Sequence, residues 1–529
     1  MPASSELLSV KNLTIKTGNK TLVKNLSFSL NKGETLALVG ESGSGKTISA
    51  LSVMGLLAPE LSAKADSMHF NGTELQTLAP KSRRALRGRV MSMIFQEPAT
   101  ALNPVLTCGY QVEEAFIIHG GLGKKARRQK VLDLFRQVQL PQPERIFKSY
   151  PHELSGGQRQ RVMIAMALAH KPALLIADEP TTALDVTVQA EIISLVKKLQ
   201  ADLGMAMLWI THDFGVVKQL ANQVVVMKNG TKVEEGTAAQ IFKKPKHAYT
   251  KQLLSATLGL NAKPLASGKS PVVLHAEKLS HTYTRPGFWP FKKAEHLQAL
   301  SNVSLSLQAG QTLGVVGESG SGKSTLARVL TRLTEPAHGG KIVVLGHTFT
   351  GLEGNAKRLA RKNLQMVFQD PSAALNPYLT AGESVAEGVR AHNLIGPKKI
   401  RAYVDKIMAD CGLPSDSYDR YPHQFSGGQK QRICIARALA LKPKIIIADE
   451  AVSALDVSIQ AQILKLLASI QKAERTSYVF ISHDLRVVSH LAHNVLVMHN
   501  GKVVESGPTQ KVFSKPQHAY TKKLLSAVI

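Results

Sequence analysis

Gly40-Glu41-Ser42-Gly43-Ser44-Gly45-Lys46-Thr47 decides how this chain is read, and it recurs as Gly317-Glu318-Ser319-Gly320-Ser321-Gly322-Lys323-Ser324. Each copy matches G-x-x-x-x-G-K-[ST]. The pattern has a mechanism: glycines let successive backbone N–H groups turn inward around a phosphate chain, and the lysine reaches the outer phosphates. The hydroxyl of Thr47 or Ser324 suits Mg2+. Apolar runs, Thr35-Leu36-Ala37-Leu38-Val39 and Thr312-Leu313-Gly314-Val315-Val316, lead into the loops. Such runs read as buried strands. A helical pattern follows each loop, so a phosphate would sit at a helix N-terminus. One copy could be chance; two in the same context set chance aside.

The repetition is whole-domain. Gln96 answers to Gln369, and at one constant offset Ser155 answers to Ser426, Asp178 to Asp449, His212 to His483 and Tyr249 to Tyr520. One domain has been duplicated and fused. The boundaries expected are a first domain over 6–259, a linker over 260–271 and a second domain over 272–529. The linker is short, polar and punctuated by Pro264, Gly268 and Pro271, as linkers are.

With 529 residues, 44% hydrophobic and 20% charged, the chain has room for two large cores and is not a disordered sequence. No apolar run approaches the roughly 18–20 residues of a membrane helix. Met1-Pro2-Ala3-Ser4-Ser5-Glu6 does not resemble a secretory signal. Cys108, Cys411 and Cys434 are scattered and odd in number, which favours a reducing compartment without disulfides or a zinc site. The net charge of +28 points to an anionic membrane surface, to RNA or to solubility alone. Local clusters such as Lys81-Ser82-Arg83-Arg84 and Lys124-Lys125-Ala126-Arg127-Arg128 read individually as solvated faces.

Within the first copy, alternation at Leu7–Val10 and Leu26–Leu30 predicts strands ahead of the phosphate loop. Residues 98–151 carry few strand signals and read as a helical insertion. Leu154-Ser155-Gly156-Gly157-Gln158 precedes a helical run, and Ala173–Glu179 is a buried strand ending in two acids. An amphipathic helix follows over Val186–Leu203, with Val188, Ile192, Leu195, Val196 and Leu199 on one face. Met205–Ile210 is another strand, ending at Thr211-His212-Asp213. Strand–helix alternation predicts a mostly parallel α/β core. Asn229-Gly230 marks a hairpin. The second copy repeats every element but adds a basic, aromatic loop around Phe288 and Trp289.

The chemistry-bearing residues follow the same order in both copies. Asp178 and Asp449 close apolar strands beside the phosphate loops, where a carboxylate can hold Mg2+. Glu179 and Glu450 come next and point elsewhere because the strand alternates; they can activate an attacking water. His212 and His483 end the following strand, in reach of a terminal phosphate. A lone histidine is more often structural, but the repetition favours function. Gln96 and Gln369 can sense Mg2+ and water. Ser155-Gly156-Gly157-Gln158 and Ser426-Gly427-Gly428-Gln429 open onto helices whose N–H groups suit an anion. A glycine turn there is often a plain cap, but the shared Gln158-Arg159-Gln160-Arg161 and Gln429-Lys430-Gln431-Arg432 that follow weigh against that reading.

Phosphate loop, glutamine, Ser-Gly-Gly-Gln signature, Asp-Glu strand, Ala-Leu-Asp loop and histidine, in that order, resemble the ATP-binding cassette of the ABC family across nearly the whole chain. The resemblance implies two tandem P-loop NTPase domains of α/β class, each with a mostly parallel core, an antiparallel β part and a helical subdomain. It implies ATP and Mg2+ as cofactors and a head-to-tail pairing of the cassettes. Lys46, Thr47, Gln96, Asp178, Glu179 and His212 would then share a site with Ser426. Lys323, Ser324, Gln369, Asp449, Glu450 and His483 would share one with Ser155. Tyr283 stands where the family stacks an aromatic on adenine; Thr17 stands there in copy one.

Gln96-Glu97-Pro98, Tyr150-Pro151-His152 and their repeats narrow the resemblance. So do the endings Lys-Pro-x-His-Ala-Tyr-Thr-Lys-x-Leu-Leu-Ser-Ala, within 240–259 and 511–529. Together they are similar to ATP-binding subunits of bacterial oligopeptide and dipeptide importers, in the fused form that serves peptide-like cargo such as microcin C. That likeness implies two separate membrane permeases, an extracytoplasmic binding protein and a peripheral place on the cytoplasmic face of the inner membrane. It implies no nucleic acid and, without a cysteine cluster near the C-terminus, no iron–sulfur centre. A two-cassette ATPase acting on ribosomes would also explain the charge, but 260–271 is too short for its long charged linker. A DNA-repair ATPase would need zinc cysteines.

Overall fold

The computed structural model describes residues 6–181, 184–256, 259–260, 270–285, 295–337, 339–452 and 455–528. The Phe288–Trp289 loop, most of the expected linker, and Ala183 and Ala454 of the Ala-Leu-Asp loops lie outside them. The chain forms two compact units, one built from 6–184 and 188–256 and the other from 259–528.

In the first unit, two long antiparallel strands, Glu6–Thr17 and Lys20–Asn31, precede the phosphate loop. They extend well beyond the alternating stretches that announce them. Ser67–Phe70 pairs on the outer side of the first, so this small sheet buries Leu8, Leu13, Ile15 and Leu26 against the main body.

The central sheet runs in the order Thr231–Thr237, Gln223–Lys228, Thr35–Val39, Ala206–Thr211, Leu174–Asp178, Met91–Ile94. All neighbours are parallel except the first pair. Every residue of Thr35–Val39, Leu174–Asp178 and Ala206–Thr211 is buried. Continuous apolar runs are what a parallel sheet covered on both faces requires. The antiparallel edge pair turns at Asn229 and Gly230, with φ of 48° and 78°; this left-handed pair matches the twist of a hairpin. The second unit repeats the order with Lys502–Pro508, Asn494–His499, Thr312–Val316, Ser477–Ile481, Ile445–Asp449 and Leu364–Val367.

The helical insertion consists of Pro98–Ala101, Cys108–Ile118, Lys124–Gln137 and Pro143–Lys148. It packs on the helix Gly156–Leu168 and on one sheet face through Val112, Phe116, Phe135, Val162 and Trp209. Ile192, Leu195, Val196 and Leu199 of helix Val186–Leu203 are buried in the same core; Val188 is only partly buried.

One basic cluster departs from the solvated reading. Arg83 donates to the Ser52 carbonyl at 3.0 Å, and Arg87 to those of Met54 and Gly55 at 2.7 and 2.6 Å. These guanidinium groups close the C-terminal end of the helix Lys46–Met54, where unpaired carbonyls and the helix dipole favour cations.

All three cysteines are free and buried. Burial pushes the Cys108 and Cys434 thiols up to about 11 and Cys411 up to about 12, so thiolate is scarce at neutral pH. The folded protein should therefore leave Ellman's reagent almost unreacted at pH 8 and titrate as three thiols after guanidinium is added. Rapid reaction of even one thiol in the folded state would contradict this burial.

Candidate functional site

In each unit the chemistry-bearing residues gather at the C-terminal ends of the parallel strands, where open α/β sheets place their ligands. Thr35–Val39 delivers the phosphate loop, Leu174–Asp178 delivers Asp178 and Glu179, Ala206–Thr211 delivers His212, and Met91–Ile94 delivers Gln96.

The loop itself is forced by sterics. Gly40, Gly43 and Gly45 have φ of 155°, 77° and 95°, a region costly for residues with a Cβ. A Cβ on Gly40 would also collide with the Met227 carbonyl. The Gly230 N–H at the hairpin tip donates to the Ser44 carbonyl at 3.2 Å. Lys46, 4% exposed, turns its ammonium back onto the carbonyls of Gly40 and Glu41 at 2.8 and 2.9 Å. Lys323 does the same with Gly317 and Glu318 at the same distances, and burial lowers its pKa. The buried hydroxyls of Ser44 and Ser321 have no hydrogen-bond partner among the described residues. A buried, unsatisfied hydroxyl in this loop is what a phosphate oxygen would complete.

Thr47 Oγ1 donates to Asp178 Oδ1 at 3.1 Å, and Ser324 Oγ to Asp449 Oδ1 at 3.1 Å. This hydroxyl–carboxylate pair supplies hard oxygen donors, the set that suits Mg2+. Among the described residues no group of three or more His, Cys, Asp or Glu could hold a metal. A site of this kind fits an ion that takes its other ligands from phosphate and water.

Glu179 Oε2 accepts from Gln96 Nε2 at 3.2 Å and lies 3.2 Å from His212 Nδ1. Glu450 Oε2 meets Gln369 Nε2 at 2.9 Å and His483 Nδ1 at 3.3 Å. Burial opposes charge on His483, but the hydrogen bond and charge of Glu450 outweigh it and hold the imidazole above its usual value. The structure corrects one expectation here. The glutamates are not aimed by strand alternation, because both leave the strand with left-handed φ, 44° at Glu179 and 48° at Glu450. Their N–H groups bond the Ile210 and Ile481 carbonyls at 2.9 and 3.0 Å. A left-handed non-glycine residue is strained, and such strain tends to mark working positions.

Ser155 caps the helix Gly156–Leu168. Its hydroxyl accepts from Gln158 N, while Gln158 Oε1 accepts from Ser155 N. Ser426 and Gln429 repeat the box. The two glutamines thus serve the cap itself. A Cβ on Gly157 would press on Val188 at 2.7 Å, and one on Gly428 on Ile459 at 2.8 Å; close helix packing explains these second glycines. Of the first ones, Gly427 stands in the open, and a Cβ on Gly156 would make only ordinary contact with Leu184 at 3.7 Å.

Tyr283 lies near the end of the strand Val272–Arg285, exposed and edge-on to His281 at 4.6 Å. Thr17 ends the equivalent first-unit strand.

A family model described as ABC transporter matches residues 23–182 and 300–453. The chain belongs to the ABC transporter family. It is an ATP-binding protein of that family with two cassettes, and it is an ATPase. A second model, the oligopeptide/dipeptide transporter C-terminal region, matches residues 233–284 and 504–529. Among curated relatives, the peptidoglycan transport ATP-binding protein YejF of Agrobacterium fabrum is 46% identical, covering 98% of this chain and 96% of that protein. The glutathione import ATP-binding protein GsiA of Shigella sonnei is 45% identical, covering 100% of this chain and 91% of that protein. A solved dimeric structure of the cassette MJ0796 bound to ADP and Pi aligns with 45% of this chain and 98% of its own, at 28% identity and a TM-score of 0.41. Among the described residues of this ABC ATPase, no helix is long and apolar enough to cross a membrane.

Sequence reasoning passed over one contact beside the loop. The Glu41 N–H donates to Tyr249 Oη at 3.3 Å, and the Glu318 N–H to Tyr520 Oη at 2.9 Å. Both tyrosines sit in the repeated tails, and that repetition was the available signal.

Burial pushes Asp178 and Asp449 up to about 6, against about 4 in an unfolded chain. The folded protein thus keeps these protons to higher pH. Its ionised form is penalised above pH 6, and the penalty fades as pH falls toward 4. Asp178→Asn keeps an oxygen for Thr47 and removes the buried charge. In nucleotide- and metal-free protein at pH 7.5 it should stabilise the first cassette by on the order of 2 kcal/mol. Calorimetry should show the gain narrowing between pH 6.5 and 5; a loss of stability at pH 7.5 would refute the assignment.

Proposed function

We propose that this ABC ATPase powers the uptake of peptides or small peptide-like compounds through separate permease subunits at the cytoplasmic face of a bacterial inner membrane. The observation that carries this reading is the pair of matches to the oligopeptide/dipeptide transporter C-terminal region, at 233–284 and 504–529, each of which begins in the edge strand ahead of a repeated tail. The relatives' names, peptidoglycan transport and glutathione import, support cargo built from short peptide units, a class that includes microcin C. The basic surface suits anionic lipid. An extracytoplasmic binding protein would present the cargo. Nothing in these likenesses favours the ribosome reading.

The division into cassettes at 6–259 and 272–529, joined by 260–271, belongs to the same proposal, as does the head-to-tail pairing, which rests on the duplicated signatures. Gly40–Thr47 and Gly317–Ser324 hold the phosphates of ATP, with Lys46 and Lys323 reaching the outermost. Thr47 with Asp178, and Ser324 with Asp449, hold Mg2+, assisted by Gln96 and Gln369; the ion supplies charge neutralisation at the phosphates. Glu179 and Glu450 orient a water and draw its proton. Gln96 and His212, or Gln369 and His483, fix each glutamate from two sides, so that positioning carries the rate. Ser155-Gly156-Gly157 and Ser426-Gly427-Gly428 offer helix N-termini to the terminal phosphate. Tyr283 stacks on adenine in the second cassette, without a counterpart at Thr17.

Changing Glu179 and Glu450 together to Gln should lower ATP turnover by at least about 100-fold while leaving ATP binding intact; near-normal hydrolysis in that variant would sink the glutamate assignment. Affinity capture of the chain from solubilised membranes should recover two hydrophobic permeases. Recovery of ribosomes in their place would overturn the importer reading.

A further inference from the structure

The C-terminal tails reach back to the phosphate loops. In the first cassette Glu234, on the edge strand Thr231–Thr237, accepts from the Lys246 and His247 N–H groups at 2.7 and 3.0 Å. His247 Nδ1 then accepts from Tyr249 N at 3.1 Å and caps the helix Ala248–Ala256. This arrangement fixes Tyr249, 3% exposed, beneath the loop. Glu505, Gln517, His518 and Tyr520 repeat it at 2.9, 3.0 and 3.1 Å.

In each cassette the hydroxyl meets the same peptide unit, and Tyr520 also engages the Glu318 side chain. In the Gly40–Glu41 peptide, the N–H donates to Tyr249 and the C=O accepts from the Lys46 ammonium. In the Gly317–Glu318 peptide, the same two ends meet Tyr520 and Lys323. Gly40 and Gly317, at φ 155°, give that peptide little side-chain restraint of its own. With no partner, it could rotate and take the lysine's anchor with it. Burial pushes Tyr520 up to about 12, so the group facing the peptide is a neutral hydroxyl. Lys228 lies over the Tyr249 ring at 4.6 Å, while His499 stacks on Tyr520 at 4.0 Å. The two cassettes thus pack the ring differently and keep the hydroxyl contact.

We propose that Tyr249 and Tyr520 are positioning residues for ATP binding: each orients the glycine–glutamate peptide whose carbonyl holds the phosphate-loop lysine. The tail thereby acts on the nucleotide site of its own cassette. The proposal rests on those loops being where ATP binds.

Tyr249→Phe and Tyr520→Phe remove only the hydroxyl. In the full chain, titration with fluorescent mant-ATP should show Kd at the altered cassette raised roughly fivefold, the size of one neutral hydrogen bond. The shorter contact predicts the larger effect for Tyr520→Phe. KM for ATP should rise with Kd while kcat changes less than about twofold, and Tm should fall by no more than about 3 °C. Leu253→Ala loosens the same helix without touching the hydroxyl, so it should lower Tm and leave Kd near the parent value. Unchanged Kd in both Tyr→Phe variants would overturn the proposal. So would a rise in Kd for Leu253→Ala as large as for Tyr249→Phe, since tail packing would then suffice. A parent chain that fails to bind mant-ATP would remove the phosphate-loop reading along with it.

Discussion

A lysine ammonium folded back onto its own loop is the constraint on which each site depends. Burying a charge is costly unless it is closely partnered, and Lys46 and Lys323 are each only 4% exposed. Two carbonyls per lysine partially meet that cost. They can do so only because glycines let the loop curl around the side chain. The glycines, the strand that delivers the loop, the hairpin tip against Ser44 and the tail tyrosine all serve one geometry. That geometry holds a buried lysine ammonium and an unsatisfied serine hydroxyl together in one loop.

Because the domain is duplicated, the chain contains its own replicate. Contacts kept in both copies despite different neighbours separate shared requirements from local packing. The glutamine–glutamate–histidine cluster is kept, as are the hydroxyl–aspartate pair and the signature cap. Other supports vary. Arg161 braces the first signature helix through Glu191 and the Val138 carbonyl, whereas Arg432 uses Gln462 and the Cys411 carbonyl. A guanidinium fork tolerates such exchange because a carboxylate, an amide oxygen or a carbonyl can each accept from it. Bracing thus differs between the copies, while the glutamine–glutamate contact and the hydroxyl–aspartate pair are the same in both.

The central sheet was legible in the sequence because doubly covered strands must be continuously apolar, as Leu174–Ala177 and Ile445–Ala448 are. The order of the motifs was legible for the same reason: each chemical residue follows its strand. The aim of Glu179 and Glu450 was not. Periodicity assumes regular backbone, and a single left-handed residue at the strand end breaks it. Nor did composition show that Arg83 in a basic cluster closes a helix end, or that Gln158 is consumed by a cap. The carbonyl that Arg83 meets lies 31 residues away, whereas Gln158 bonds Ser155 only three residues before it, a capping-box spacing that composition does not register. Tyr249 was visible as part of a repeated tail, but a repeat shows only that something is kept, and the hydrogen bond to Glu41 crosses most of the cassette.

That last contact also bears on why the tails follow the cassettes at all. A C-terminal segment with a separate task would need only a flexible joint. Here the joint is pinned by Glu234 or Glu505 on the edge strand of the nucleotide-binding sheet, through two adjacent N–H groups. The helix that follows is buried against the same sheet through Tyr249 and Leu253 in one copy, and Tyr520 and Leu524 in the other. Any movement of the tail must therefore strain either that edge or the loop peptide. Thermodynamic linkage is reciprocal: if the tyrosine favours the lysine geometry that binds ATP, ATP in turn favours the docked tail. The edge strand, the tail and the phosphate loop are then parts of one mechanical element in each cassette.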